Sequence, residues 1–139
     1  MLKLVKILGK DDSVPEIITV NPPYKEAIKA GNVYYLSNGC ITPDRTANPV
    51  LFVSLEALPA DHSKKKVHGF LITPGMLFEA DFVGDINLVS LTDPFILHKN
   101  DDGYIDAVSN TSFSDSNAFG IVYSYENLFK TNKIQVLFT

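Results

Sequence analysis

The sequence predicts an all-β protein, a compact antiparallel β-barrel or β-sandwich with one short helix. Three observations carry the prediction. Roughly nine short apolar runs recur at a spacing of about 8–12 residues, the rhythm of a sandwich or barrel. Within 66–83, KVHGFLITPGMLFEADFV, Phe78, Ala80 and Phe82 alternate with Glu79 and Asp81, the period of two of a half-buried strand. Turn chemistry separates the runs, most clearly at Asn38-Gly39, at Pro74-Gly75 and across Lys99 to Gly103.

The first element, residues 2–8, is a short apolar run interleaved with Lys3 and Lys6. It reads as an edge strand or as an N-terminal arm over residues 1–10. Residues 17–20 are rich in β-branched side chains, and Asn21-Pro22-Pro23 stops the ladder behind them. Residues 24–30, YKEAIKA, supply the predicted helix, with Gly31 placed as its C-cap. It offers about two turns, which need packing to persist. Such a helix could plug one open end of a barrel. Residues 33–42 read as a hairpin around Asn38-Gly39, because both central residues of a type I′ turn take positive φ. Residues 49–58, PVLFVSLEAL, are apolar on both faces and suit a central strand; residues 59–65 are an exposed loop.

Residues 66–83 are two strands broken by Thr73-Pro74-Gly75-Met76. Pro-Gly favours a type II turn, which splays strands against their natural twist. The second strand is therefore predicted to turn a corner toward a different sheet or barrel edge, with Gly69 easing the bend. A further strand is predicted over 86–91, ending at Thr92-Asp93-Pro94. Residues 95–98 and 104–108 flank a hairpin loop at 99–103. Residues 109–117, SNTSFSDSN, form a Ser/Asn-rich loop, and 120–125 a strand. Residues 126–132 are a loop or a single helical turn, and 133–139 close the chain as a strand with Ile134, Val136 and Phe138 on one face.

At 139 residues and 45% hydrophobic content, the chain suits one domain over 1–139 with a real core. The net charge of −4, with Lys64-Lys65-Lys66 as the densest basic run, disfavours nucleic-acid binding. The lone Cys40 excludes an intramolecular disulfide framework and a multi-Cys zinc site, and fits a reducing compartment. No apolar run approaches the roughly 18 residues of a membrane span. Residues 1–9 are too short and too interrupted by Lys for a signal peptide. The expectation is a soluble protein made in the cytoplasm, with no membrane partner.

The search for chemistry predicts no catalytic, cofactor or metal site. His62, His68 and His98 are scattered, and no spacing supports an imidazole metal site. Asn100-Asp101-Asp102-Gly103 offers Ca²⁺-type oxygens but lacks the full ligand loop, and its residues explain a plain turn. Cys40 follows a turn without the local signature of a nucleophile. Glu79 and Asp81 could divide acid and base roles, but they more simply form the wet face of a half-buried strand. Tyr34, Tyr104, Tyr123 and Tyr125 are candidates for a stacking or contact surface, against the commoner reading as core and rim tyrosines.

Several of these pieces also follow a known order. Gly31-Asn-Val-Tyr-Tyr-Leu36 with Asn38-Gly-Cys-Ile-Thr42, then Pro49-Val-Leu-Phe-Val53, then the 66–84 stretch around Pro74 and Phe78-Glu79, run as a hairpin, a strand and a P-x-x-x-F-E segment. Ile86 to Leu91, Gly103 to Val108, Gly120 to Tyr123 and Lys133 to Phe138 follow. Over about residues 31–139 this order resembles small phage head-decoration, or capsid cement, proteins with a β-barrel or β-tulip-like fold. Residues 2–8 and 24–30 depart from the pattern. The resemblance implies a virion protein on the outer capsid surface, present in the host cytoplasm during assembly. It implies the major capsid protein as partner, a monomer or homotrimer, and neither catalysis nor cofactor. In that setting residues 2–8 would pair with a capsid strand by β-augmentation, and Lys3 and Lys6 would blunt the edge beforehand. Two other readings stand beside it. One is a carbohydrate- or receptor-binding β-domain of a phage tail or fibre, distinguished by exposed Tyr side chains around a groove. The other is a small β-barrel metalloenzyme using His62, His68 or His98.

Overall fold

The computed structural model describes residues 1–9, 14–22, 26–42, 44–61, 66–101 and 104–139. The chain is all-β. Its strands are β1 (Leu2–Ile7), β2 (Ile18–Val20), β3 (Val33–Ser37), β4 (Cys40–Thr42), β5 (Val50–Ser54), β6 (Val67–Leu71), β7 (Met76–Phe82), β8 (Pro94–Lys99), β9 (Ile105–Asn110), β10 (Gly120–Ser124) and β11 (Lys133–Phe138). Among the described residues a 3₁₀ turn spans Ile86–Leu88 and one helix, α1, spans Leu128–Thr131. The strands gather into two compact units, one of Met1–Val14 with Thr73–Thr139, the other of Pro15–Ile72.

The first unit is a closed five-stranded barrel. Antiparallel pairs join β7 to β11, β11 to β10, β10 to β8 and β8 to β9. A parallel pairing of Asp81 and Phe82 with Ala107 and Val108 returns β9 to β7 and closes the ring. The predicted antiparallel barrel thus holds along its wall, and the closure itself is parallel. β1 runs antiparallel on the edge of β7 that β9 occupies further along, pairing Leu2 with Ala80 and Ile7 with Met76. Where β1 and β9 fork, the Met1 ammonium donates to the Asp81 carboxylate (2.9 Å) and to the Asp106 carbonyl. Val5 is the extra residue of a bulge in β1, because Leu4 pairs Phe78 and Lys6 pairs Leu77. The bulge, with Lys3 and Lys6, blunts the outer edge of this strand.

Alternation decides what the barrel buries. Phe78, Ala80 and Phe82 of β7 and Ile134, Val136 and Phe138 of β11 point inward and are buried. The Phe138 ring meets Phe78 and Phe95 edge to face, with centroids 5.4 Å and 5.1 Å away. Full burial of a side chain of this size contributes roughly 1.5–3 kcal/mol. Gly120 of β10 lies against this cluster. A Cβ there would fall 1.9 Å from the Leu137 carbonyl oxygen and 2.9 Å from the Phe95 ring, so only glycine lets the strands approach.

The second unit orders its strands β4–β3–β5–β6–β2. A parallel bridge joins Asn21, just past β2, to Cys40 at the start of β4. The Asn21 amide donates to Gly39 (3.0 Å) and the Ile41 amide to Asn21 (2.9 Å), so this run of strands also returns on itself. β5 is central, as its two-sided apolar pattern predicts, pairing with both β3 and β6 and burying Leu51, Phe52 and Val53. The hairpin of β3 and β4 turns at Asn38 (φ 53°) and Gly39 (φ 75°), the positive pair a type I′ turn needs. Gly69 repeats the role of Gly120, since a Cβ there would lie 2.1 Å from the Val53 oxygen and 2.4 Å from the Phe52 ring.

The predicted corner is present. Met76 donates to the Thr73 carbonyl (3.3 Å) across Pro74 and Gly75, and Gly75 takes φ 93°. β6 pairs with β5 and β2, whereas β7 pairs with β1, β11 and β9, so the two runs do not form a hairpin with each other. The turn falls at the boundary between the units.

Two expectations fail. The helix predicted over 24–30 is absent from its described part: 26–30 are not helical, and Tyr24 and Lys25 lie outside the described residues. Ile28, 1% exposed, exchanges backbone hydrogen bonds with Leu58 (2.9 and 2.8 Å). Burial of one apolar side chain plus a two-bond bridge outweighs the weak propensity of about two helical turns. The short helix stands instead at Leu128–Thr131, ending at Asn132 in the left-handed region, φ 57°. The strand over 86–91 is also absent. Asp85 accepts the Asn87 amide on its carboxylate (3.0 Å) and the Leu88 amide on its carbonyl (3.1 Å), which winds a 3₁₀ turn.

Candidate functional site

A groove of about 640 Å³ lies on the first unit, with residues of β7, β10, β11 and α1 in its lining. Its size falls within the range of small-ligand and side-chain-binding clefts. Local irregularities build it. On β10, Val122 pairs Val136 but Ser124 pairs Gln135, so Tyr123 is the extra residue of a bulge. Tyr123 follows the buried Val122, so alternation faces it outward, and it is 47% exposed; the bulge then sets Ser124 opposite Gln135. The chain then turns through 125–127 into α1, where Leu128 is buried and Phe129 is 63% exposed. Neighbouring residues of a helical turn cannot face the same way, so burying Leu128 puts Phe129 into solvent. Tyr125 and Leu91 also line the groove.

The barrel wall adds the polar part. Glu79 and Gln135 are opposite one another on β7 and β11, half-buried, and their neighbours Phe78, Ala80, Ile134 and Val136 fill the core on the other face. Lys133 pairs across from Asp81, and its ammonium donates to the Asp81 carboxylate at 2.8 Å. Partial burial pushes the Asp81 carboxyl up, but hydrogen bonds and charge from Lys133 and the N-terminal ammonium outweigh it and hold it below its ordinary value. Lys133 is raised, first by its hydrogen bond to Asp81, against a smaller effect of burial. The lysine charge is thus matched by Asp81. Among the described residues, the carboxylates of Glu79 and Glu126 make no hydrogen bond or ion pair. The groove therefore presents aromatic side chains, two carboxylates that make no direct hydrogen bond, and Lys133, whose charge acts on Glu79 through space.

The residues singled out from the sequence scatter. Tyr123 and Tyr125 meet at the groove. Tyr34 is buried in the second unit, where its hydroxyl accepts the Lys29 amide (3.0 Å). Tyr104 stands half-buried just before β9. Glu79 and Asp81 share the outer face of β7, but Asp81 is tied into ion pairs and only Glu79 lines the groove. In the second unit, His68 is exposed and its backbone amide and Nδ1 both meet the Glu56 carboxylate (2.9 and 3.1 Å). Cys40 is an exposed thiol within 3.8 Å of the Asn21 side-chain amide. His98 is exposed on β8. His62 and the Asp102-Gly103 half of the 99–103 loop lie outside the described residues. No group of three or more His, Cys, Asp or Glu fit to hold a metal occurs among the described residues.

Sequence reasoning did not find Leu91, Phe129 or Gln135 as lining residues. The adjacent Leu128-Phe129 in a short helical segment was the available signal, since one of the pair had to be exposed. The bulge at Tyr123 leaves no mark in the sequence. Among the described residues, no helix is long and apolar enough to cross a membrane. Comparison with protein-family models, curated proteins and solved structures finds no match for the chain.

Proposed function

We propose that the chain is a non-catalytic virion subunit that binds the outer surface of a phage capsid and stabilises contacts between major capsid subunits. The order of strand segments resembling capsid cement proteins supports this reading. The observation that carries it is a set of exposed apolar side chains on tightly bonded turns of the first unit: Phe113 (82% exposed), Leu88 (68%), Phe129 (63%) and Leu91 (56%). Single exposed apolar residues are ordinary; here the turns that carry them are held in place. Around Phe113, the Asp115 carboxylate accepts the Thr111 hydroxyl (2.7 Å) and the Asn117 amide (2.8 Å), and the Thr111 amide donates to the Pro94 carbonyl (2.8 Å). A loop ordered before docking loses little entropy when it docks. These four side chains carry no polar atom for a sugar hydroxyl, so they fit a protein surface. Co-sedimentation of the purified protein with capsids stripped of surface proteins, with its mass measured by light scattering, tests the reading. Absence from the capsid pellet at micromolar concentrations would sink it.

A second reading has its own observation. Tyr123 and Tyr125 flank a groove that also holds Gln135 and the Glu79 and Glu126 carboxylates, an arrangement suited to a carbohydrate- or receptor-binding domain of a tail or fibre. Titration with oligosaccharides, followed by tyrosine fluorescence, tests this; an unchanged signal removes it. A metalloenzyme finds no support in the described His residues, and a stoichiometric metal in the purified protein would reverse that ranking.

A further inference from the structure

The groove combines features that point to one ligand chemistry. Tyr123, Tyr125 and Phe129 supply aromatic side chains around it. Glu79, half-buried, and Glu126, exposed, are both among the lining residues. Lys133, which also lines the groove, is held at 2.8 Å by Asp81 and acts on Glu79 only through space. A cation entering the groove therefore finds two carboxylates whose hydrogen-bonding oxygens are not engaged, against the through-space charge of Lys133, which is already paired with Asp81. Among cationic side chains, a guanidinium suits such a place best. It is planar, stacks on aromatic faces and donates hydrogen bonds in a fork that fits a carboxylate.

We infer that this groove receives an arginine side chain from an extended segment of a protein partner, stacked on the aromatic wall and paired with Glu79 and Glu126. The volume of about 640 Å³ exceeds what one side chain fills, leaving room for residues flanking the arginine. The inference deepens the docking reading by naming the chemistry of the contact, and it is tested separately from it.

The test uses the full chain, labelled with ¹⁵N, and three probes: Nα-acetyl-arginine amide, its neutral isostere Nα-acetyl-citrulline amide, and chitotriose. A lone side chain binds in the millimolar range at best, so the readout is saturable amide shifts at high probe concentration. The expected result is shifts confined to the neighbourhood of Glu79, Tyr123, Tyr125 and Phe129 with the arginine probe and not with the citrulline probe. In the double variant E79Q/E126Q, affinity for the arginine probe falls by about threefold to tenfold at unchanged melting temperature. An equal response to citrulline, a stronger response to chitotriose, no saturable shift, or unchanged affinity in the double variant would each overturn the inference. Capsid co-sedimentation of the same variant separates the two claims. Wild-type occupancy retained by E79Q/E126Q leaves the docking reading standing and removes the groove as its contact. An arginine response in a protein that binds no capsid keeps the groove chemistry and removes the docking reading.

Discussion

Gly120→Ala is the substitution whose outcome the geometry fixes most tightly. The added Cβ would sit 1.9 Å from the Leu137 oxygen and 2.9 Å from both the Leu137 carbonyl carbon and the Phe95 ring. Two of these three atoms are backbone, so β11 must retreat by about 1 Å or β10 must leave the ladder. Either movement drags Phe138, which holds the edge-to-face contacts with Phe78 and Phe95. Overpacking in a tight core costs about 1–3 kcal/mol, and a backbone clash belongs at the upper end. Unfolding entropy of about 2.1 cal/mol/K per residue converts about 3 kcal/mol into a fall in Tm of roughly 10 °C for a chain of 139 residues. Gly39→Ala is the control: nothing lies within 4 Å of its Cβ, so only the strain of φ 75° remains. That strain costs about 1–2 kcal/mol, or roughly 3–7 °C. Thermal melts followed by circular dichroism, and urea unfolding followed by tyrosine fluorescence in this Trp-free chain, measure both variants. A Gly120→Ala protein melting no lower than Gly39→Ala would refute the argument that close backbone approach requires the glycine.

Three further outcomes are expected. Asp81→Asn removes a carboxylate whose pKa lies below its ordinary value, so the wild type holds its advantage at neutral pH and loses it as acid protonates Asp81. With the Asp81 side chain 43% exposed, that advantage is about 0.5–1 kcal/mol; urea titrations from pH 7 into strong acid check it, and a gap that widens in acid contradicts the sign. Phe78→Ala deletes a fully buried ring and is expected to cost about 3–5 kcal/mol in urea unfolding, with a loss under about 2 kcal/mol telling against the barrel core described. Phe113→Ser leaves stability within about 0.5 kcal/mol because the side chain is 82% exposed, yet lowers capsid retention in co-sedimentation; retention equal to wild type removes Phe113 from the docking surface.

The strands were legible wherever local chemistry and burial agree. β7 and β11 alternate cleanly because one face fills a barrel and the other meets solvent. The β3–β4 hairpin and the corner at Pro74-Gly75 were legible because positive φ at Gly39 and Gly75 is written in residue type. The misplaced helix and the missing strand share a cause. Both 24–30 and 86–91 are short and weakly patterned, so a distant or side-chain partner outbid local preference: Leu58 for Ile28, and the Asp85 carboxylate for the 3₁₀ turn. Of the groove, the tyrosines and Glu79 were visible as residues, but their meeting was not.

Residue order and periodicity alone establish an all-β chain, the turns at Asn38-Gly39 and Pro74-Gly75, the inward faces of β7 and β11 and the corner after β6, because these depend on φ preferences and on a period of two. Closure of the first barrel through the parallel pairing of β7 with β9 depends on residues 26 positions apart in sequence, Asp81 and Ala107, and no local pattern encodes which strands meet. The same holds for the bulge that makes Tyr123 an extra residue and sets Ser124 opposite Gln135, and for the ion pair that matches Lys133 with Asp81. Those features follow from strand register, and register is a property of the packed barrel as a whole.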